Sequence, residues 1–363
     1  MKYLIHCGSG IGDIIIILPL AQIIKRHDTN SYIKVFVCAD KQRVEISKEL
    51  LSLQNLIDEI DYYSVKAPIH DIKFIYKLGY KHFDIAFSLQ YTNNKDTSAW
   101  PSRILKICAK KSIGIKIDKR KGVHYDEEIS LSKGIRMADY PLIMYKQICY
   151  SPFLDLNIDY DSLIDTSLLN KELPYAKRES LSYIALVVGT APVGGRIGRK
   201  YYFNDVKKWD KQNWLALAKR LSLDGYGVLL IGGGKEKKEF SDHCNLHDDN
   251  IINLIGNCGI VQSLSALYSS ILVVGADTGL MHCAGALDIP TLTLYGCTDY
   301  KEYLPFGRKA YYLKSDCTCS PCFGTEISLT CKKNRCMKEI SVDDVYKKIK
   351  DVIEGNISVV ERH

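Results

Sequence analysis

Val273-Val274-Gly275-Ala276-Asp277-Thr278-Gly279-Leu280-Met281-His282 is the stretch that decides the fold. It opens as a short apolar run, too brief for a helix, and passes through Asp277 and Thr278 into Gly279–Leu287, which reads as a helix. A strand that turns directly into a helix is the joint of a parallel α/β layer. Asp277 or Thr278 can cap that helix. The amides of Thr278, Gly279 and Leu280 then point at the crevice beyond the strand, an arrangement ready to hold phosphate. His282 lies one turn into the helix. Alone it would read as a packing residue; its place beside the amides makes it a candidate contact.

The same alternation continues on both sides. Tyr183–Val188 reads as a strand ending at Gly189, Asp210–Leu223 as a helix, and Gly227–Ile231 as a strand ending in Gly232-Gly233-Gly234. Thr291–Tyr295 is a further strand. Ser341–Ile353 is a closing amphipathic helix, with Ser341 at its N-cap and Asp343 and Asp344 in its first turn. In the first half, Lys2–His6, Ile33–Cys38, Phe83–Leu89 and Ser112–Ile115 read as strands, and Asp13–Arg26 and Lys41–Leu51 as helices. Arg136–Tyr150 looks helical, and Ser151-Pro152 and Asp155–Asp165 break the pattern. The expected organisation is an N-terminal domain over 1–160, a second over 161–340, and a closing helix and tail over 341–363. A chain of 363 residues has room for two domains.

The longest apolar run, Ile14 to Ala21 and on to Ile24 past Gln22, contains Pro19 and is shorter than the ~20 residues of a membrane span. Lys2 is the only positive charge before it and no small-residue cleavage site follows, so a signal peptide is not expected. The reading is a cytoplasmic protein whose cysteines, thirteen in all, are thiols or metal ligands. A net charge of +7 suits an anionic ligand or membrane surface. No RNA-recognition, helix-turn-helix or zinc-finger pattern is present, so nucleic acid is not an expected partner.

Four motifs carry chemistry. Cys7-Gly8-Ser9-Gly10-Ile11-Gly12-Asp13 joins the first strand to the first helix. A dinucleotide fingerprint would place its third glycine at position 13, where Asp13 stands, and no Gly-Lys-Ser/Thr follows for a Walker loop. A negative charge there repels a pyrophosphate. Asp13 reads either as a helix cap or as a carboxylate aimed into a cleft by Gly10 and Gly12, free to act as a general base. Gly189-Thr190 leads into a basic, glycine-rich loop through Gly194, Gly195, Arg196, Gly198, Arg199 and Lys200 to Lys207-Lys208-Trp209. Its cations could neutralise a diphosphate, or it could be a solvated surface loop. Cys319-x2-Cys322-x8-Cys331-x4-Cys336 has the donors of a tetrahedral structural site for zinc or iron, with Cys317 as a spare. Asp159-Tyr160-Asp161 has no strand before it and reads as linker. Lys116-x2-Lys119-Arg120-Lys121 reads as a solvated loop or a contact for an anionic acceptor or membrane.

Taken in order, these pieces resemble one family, the ADP-heptose:lipopolysaccharide heptosyltransferases, glycosyltransferase family 9. The matching residues are Ile11-Gly12-Asp13 with Pro19, Lys207-x-Trp209, Asp277-Thr278-Gly279-Leu280-Met281-His282 with Ala284, and Pro290 with Tyr295-Gly296-Cys297-Thr298-Asp299. Cys336-Met337 resembles tails seen in many members. The resemblance implies an α/β chain of two facing Rossmann-like domains (a GT-B type glycosyltransferase fold), here with a cysteine-rich C-terminal segment. It implies an inverting transferase without a catalytic metal, with acceptor on the N-terminal side and nucleotide sugar on the C-terminal side. Asp13 would deprotonate the acceptor hydroxyl, Lys207 would contact the donor phosphates, and Thr278 and Gly279 would bind the diphosphate through their amides. The stretch between Gly189 and Lys207 is longer and more basic than the family pattern, so Lys207, Lys208, Arg196 and Arg199 are all candidates for the phosphate contact. The implied donor is ADP-heptose. The acceptor is a glycolipid or a protein, with peripheral membrane contact and homo-oligomerisation as further candidate interactions. Two other readings compete: a nicotinamide- or flavin-binding oxidoreductase built on the first glycine loop, which Asp40 would serve as ribose partner, and a sugar-nucleotide-binding assembly protein without turnover.

Overall fold

The computed structural model describes residues 1–8, 10–38, 41–63, 68–89, 100–116, 125–130, 134–149, 156–169, 173–198, 200–241 and 248–357. The chain divides into two compact units, Met1–Asp165 and Thr166 onward.

The first unit carries β1 (Lys2–Cys7), β2 (Tyr32–Cys38), β3 (Glu59–Tyr63), β4 (Phe83–Ser88), β5 (Ala109–Ile115) and β6 (Glu127–Ile129). They form one sheet in the order β3-β2-β1-β4-β5-β6, with every pair parallel. Strands covered on both faces read as near-continuous apolar runs, and Tyr3, Leu4, Ile5 and Cys7 of β1 are buried around a single polar residue, His6. The helix expected over Asp13–Arg26 is two helices, Ile11–Ile15 and Ile17–His27, joined at Ile16. Pro19 has no N–H to offer the carbonyl of Ile15, and its ring crowds that oxygen, so one continuous helix cannot run through. Asp159-Tyr160-Asp161 is a cap: the Asp159 carboxylate accepts from the Asp161 amide at 3.1 Å and starts a single 3-10 turn.

The second unit carries β7 (Tyr183–Val187), β8 (Val193–Ile197), β9 (Lys200–Asn204), β10 (Gly227–Ile231), β11 (Ile251–Asn253), β12 (Leu272–Ala276), β13 (Thr291–Tyr295) and β14 (Ala310–Lys314). Its sheet runs β11-β10-β7-β12-β13-β14, again all parallel. Every residue of β7, β10, β12 and β13 is buried. The basic glycine-rich stretch after Gly189-Thr190 is not all loop: β8 and β9 pair antiparallel as a hairpin. The helix Gly279–Ala286 comes so close to the chain after it that a Cβ on Gly285 would lie 1.9 Å from the Phe306 carbonyl oxygen, so only glycine fits.

The closing helix, Val342–Ile353, packs within this unit. Ser341 caps it, accepting from the Asp344 amide at 3.1 Å. Val345 and Ile349 are fully buried in the same core as Trp209 and Trp214. The Trp209 indole N–H donates to the Ile340 carbonyl at 2.8 Å, which ties the segment before helix Lys211–Leu223 to the entry of the closing helix. Among the described residues no helix is long and apolar enough to cross a membrane.

Candidate functional site

In an open parallel sheet, ligands bind beyond the strand C-termini where the strand order reverses. The chain has two such points. In the first unit it lies between β1 and β4 and is occupied by the glycine loop. The Gly10 amide donates to the Asp13 carboxylate at 3.0 Å, so Asp13, the third residue of helix Ile11–Ile15, turns back onto the amide of its N-cap residue. A Cβ on Gly8 would lie 2.3 Å from that carboxylate and one on Gly10 2.8 Å from it. The glycines therefore make room for a carboxylate, where a dinucleotide fold makes room for a pyrophosphate. Behind the loop, His6 is buried with its Nδ1 3.2 Å from Ser88 Oγ, and the Leu89 amide donates to the His6 carbonyl at 2.9 Å, joining the ends of β1 and β4. Burial pushes the His6 imidazole down to about 3, so the ring is neutral.

In the second unit the reversal lies between β7 and β12. Here the chain leaves β7 through Gly189-Thr190 and leaves β12 through Asp277-Thr278. Thr278 is the N-cap residue of helix Gly279–Ala286, but no side chain caps it. Asp277 is engaged elsewhere: its Oδ2 is 2.8 Å from the Lys207 ammonium, and both side chains are largely buried, at 5% and 15% exposed. The leading amides of the helix, from Gly279 and Leu280, are left for something outside it. His282 is buried on this helix.

The two adjacent lysines separate. Lys207 reaches the β12 end, whereas Lys208 pairs with Glu239 on helix Gly234–Phe240. Asp210 caps the following helix by accepting from the Gln212 amide at 2.8 Å, which fixes the turn that carries both lysines. Of the other cationic candidates, Arg196 lies in β8. Arg199, Asp40 and the Lys119–Lys121 run lie outside the described residues.

Sequence reading missed three groups at this edge. Glu236 is buried beyond β10, accepting from the Gly233 amide at 2.9 Å, and a Cβ on Gly189 would stand 3.1 Å from its Oε2. Only its position after the second strand of the unit could have signalled it. Phe323 places its ring centroid 5.0 Å from the Lys207 ammonium. Cys317, read as a spare, has its sulfur 3.5 Å from that of Cys319.

The cysteine segment packs onto the same edge. The amides of Cys322 and Phe323 both donate to the Cys297 carbonyl at 2.9 Å. Cys322 and Cys336 are buried, Cys331 is half-buried and Cys319 is exposed. Burial pushes the Cys336 thiol up to about 11 and that of Cys297 up to about 12. Among the described residues, no group of three or more His, Cys, Asp or Glu side chains is drawn together around one point.

These two reversal points, one bearing the Asp13 carboxylate and the other the Lys207–Asp277 pair, belong to two Rossmann-like units, the GT-B type of glycosyltransferase fold. The chain is similar to one family in particular: residues 199–333 match the model of glycosyltransferase family 9 (heptosyltransferase). Lipopolysaccharide heptosyltransferase 1 of Pseudomonas aeruginosa is 32% identical over 118 residues, 32% of this chain and 32% of that relative. Lipooligosaccharide heptosyltransferase 2 of Campylobacter jejuni is 22% identical over 98% of this chain and 99% of its own length. Among solved structures, E. coli ADP-heptose lps heptosyltransferase II superposes with a TM-score of 0.68 at 20% identity, covering 98% of this chain and 99% of that one. The iron-containing dodecameric glycosyltransferase TibC from enterotoxigenic E. coli superposes at 0.54 with 12% identity, covering 99% of this chain and 80% of its own.

Proposed function

We propose that this protein is a glycosyltransferase that moves heptose from ADP-heptose to a hydroxyl of a cell-surface glycan precursor such as lipopolysaccharide core, or of a protein. It inverts the anomeric centre and works without a catalytic metal at the cytoplasmic side of the inner membrane. The observation that carries the reading is the β12 end, where the buried Lys207–Asp277 pair stands beside helix Gly279–Ala286 with no side-chain cap. An ammonium and free helix amides are the groups that stabilise a departing diphosphate. The relatives' names, heptosyltransferases of lipopolysaccharide and lipooligosaccharide, support the choice of sugar and acceptor class.

In this reading Asp13 takes the proton of the acceptor hydroxyl as its oxygen attacks the anomeric carbon. The bond to the nucleoside diphosphate breaks on the opposite face. Lys207 and the amides of Thr278 and Gly279 receive the charge that develops on the leaving oxygens. Glu236, beyond the second strand, occupies the place from which an acidic side chain binds ribose hydroxyls in nucleotide-binding α/β units. The oxidoreductase reading is disfavoured by the Asp13 carboxylate that fills the first glycine loop.

The cysteine segment is the proposed seat of one structural ion, zinc or iron. Its thiols are soft donors suited to either metal. Binding would release their protons and draw Cys319, Cys322, Cys331 and Cys336 together, with Cys317 in reach of Cys319. Elemental analysis of protein purified without metal-affinity resin is expected to find about one equivalent per chain, lost in Cys322→Ser. A metal-free preparation of full stability with these thiols titratable would refute the site.

Mass spectrometry of products from a panel of ADP-, GDP- and UDP-sugars, with and without EDTA, tests the activity. Transfer from ADP-heptose that survives EDTA is expected. Binding of ADP without turnover of any donor would leave the non-catalytic reading in its place.

A further inference from the structure

We propose that Phe323 is a positioning residue for the donor-binding ammonium of Lys207, so that the cysteine segment sets the affinity of the diphosphate site. The inference rests on Lys207 being the donor lysine.

The ammonium lies 5.0 Å from the Phe323 ring centroid, within the range in which the negative face of an aromatic ring attracts a cation. The attraction is larger for a cation shielded from water, and the Lys207 side chain is only 15% exposed. The ring is itself held. Its backbone amide donates to the Cys297 carbonyl at 2.9 Å, and Tyr303 meets it edge-on with centroids 5.3 Å apart. It packs on a small core of Val193, Val206, Cys297 and Cys322. The segment that carries it is tied to both sides of the lysine turn. Asn334 Nδ2 donates to the Lys208 carbonyl at 3.0 Å, and Asn204 Nδ2 donates to the carbonyls of Ser328 and Cys331 at 3.0 and 2.9 Å.

The chemistry favours an aromatic ring at this place. A lysine side chain is long and flexible, and fixing it costs affinity when the ligand must do the fixing. A second carboxylate could hold it, but would repel the incoming diphosphate. A ring face holds the charge without adding a negative group, and leaves the ammonium's donors for Asp277 and for a phosphate oxygen. The sequence separation of Phe323 from Lys207 hides this partnership from any motif.

Calorimetric titration with ADP, together with donor kinetics, tests it on the full chain. Phe323→Leu is expected to weaken ADP binding by about 3- to 30-fold, the range of a shielded cation–ring contact. Donor KM should rise while kcat at saturating donor stays within about twofold. Phe323→Tyr, which keeps the ring face, should bind ADP as the parent does. In a Lys207→Ala background, Phe323→Leu should add nothing. A pentafluorinated ring at position 323, nearly the same in shape but with its face reversed in charge, should reproduce the leucine effect in a protein with the parent's melting temperature. Unchanged binding in Phe323→Leu, equal loss in Phe323→Tyr, or additive losses in the double variant would each overturn the proposal. If Lys207→Ala alone binds ADP normally, the assignment of Lys207 itself has failed; if Lys207→Ala loses binding and Phe323→Leu does not, only the role of Phe323 has.

Discussion

The two units share one strand order: β3-β2-β1-β4-β5-β6 in the first has the same connectivity as β11-β10-β7-β12-β13-β14 in the second. Their reversal points nevertheless carry opposite chemistry. In the first unit a carboxylate from inside the helix, Asp13, turns back to accept from the amide of the N-cap Gly10, and the strand ends behind it are joined by a polar pair, His6 and Ser88. In the second unit no side chain of the helix turns back on its N-terminus, the strand ends are joined by Val187 against Gly275, and the carboxylate at the strand end, Asp277, is paired with the Lys207 ammonium. Connectivity places the two crevices alike, while a residue brought in from outside the strand joint, Lys207, sets the difference in charge between them.

Asp13 is where a single substitution should cost the most. If its carboxylate is the base, Asp13→Asn lowers turnover by about 10²–10⁴-fold, while ADP affinity stays within about twofold. Single-turnover kinetics and calorimetry on the same preparation check this, and near-normal turnover would make Asp13 a cap alone. The next effect lies in the second unit. Lys207→Ala should raise the dissociation constant for ADP by about 10- to 100-fold, the scale of one lost charge-assisted hydrogen bond. Lys208→Ala should change it by less than about threefold, because Lys208 pairs with Glu239 instead. Reversal of the two results would move the phosphate contact to Lys208.

The smallest effect sharpens the contrast between polar and apolar strand ends. His6 is neutral when folded, with its pKa lowered from 6.5 to about 3 by burial. At neutral pH neither state of the imidazole is charged. As pH falls below 6.5 the unfolded chain takes up a proton that the folded chain refuses, so stability is lost on acidification, by at most about 1.4 kcal/mol per pH unit. In His6→Asn that component is absent, and chemical denaturation between pH 7.5 and 5 should show a shallower slope than the parent. Parallel slopes would mean that His6 is not held neutral in the fold.

The β12 joint was legible because strand, turn and helix N-terminus are contiguous in sequence, and each has a local signature. The reversal point at Asp13 was legible for the same reason. The β8–β9 hairpin was not. Gly194, Gly195 and Gly198 read as loop, and what holds the hairpin is tertiary: Gly195 lies under Leu329, where a Cβ would be 2.9 Å from its methyl, and Asn204 bonds the backbone of the cysteine segment. The break at Ile16 was foreshadowed by Pro19 but overridden in the reading by the apolar run around it. Phe323 and Glu236 were missed because their partners, Lys207 and Gly189, are distant along the chain. For the same reason Lys207 and Lys208 could not be told apart until their carboxylates were placed.

The burial of the closing helix has a consequence for how the chain is made. Val345 and Ile349 fill the same core as Ile184 and Leu186 of β7, so the second unit cannot complete its interior until they leave the ribosome. At ~5–20 residues per second, that leaves the apolar strands of the second sheet waiting for roughly 8–35 seconds after β7 is synthesised. Among the described residues, the first unit's core cluster around Leu4, Phe36 and Phe83 is drawn from sequence no later than Tyr125. The nascent protein therefore passes through an interval in which the residues of that cluster are all synthesised while the second sheet still lacks the helix that completes its core, and it is in that interval that chaperone capture has most to offer.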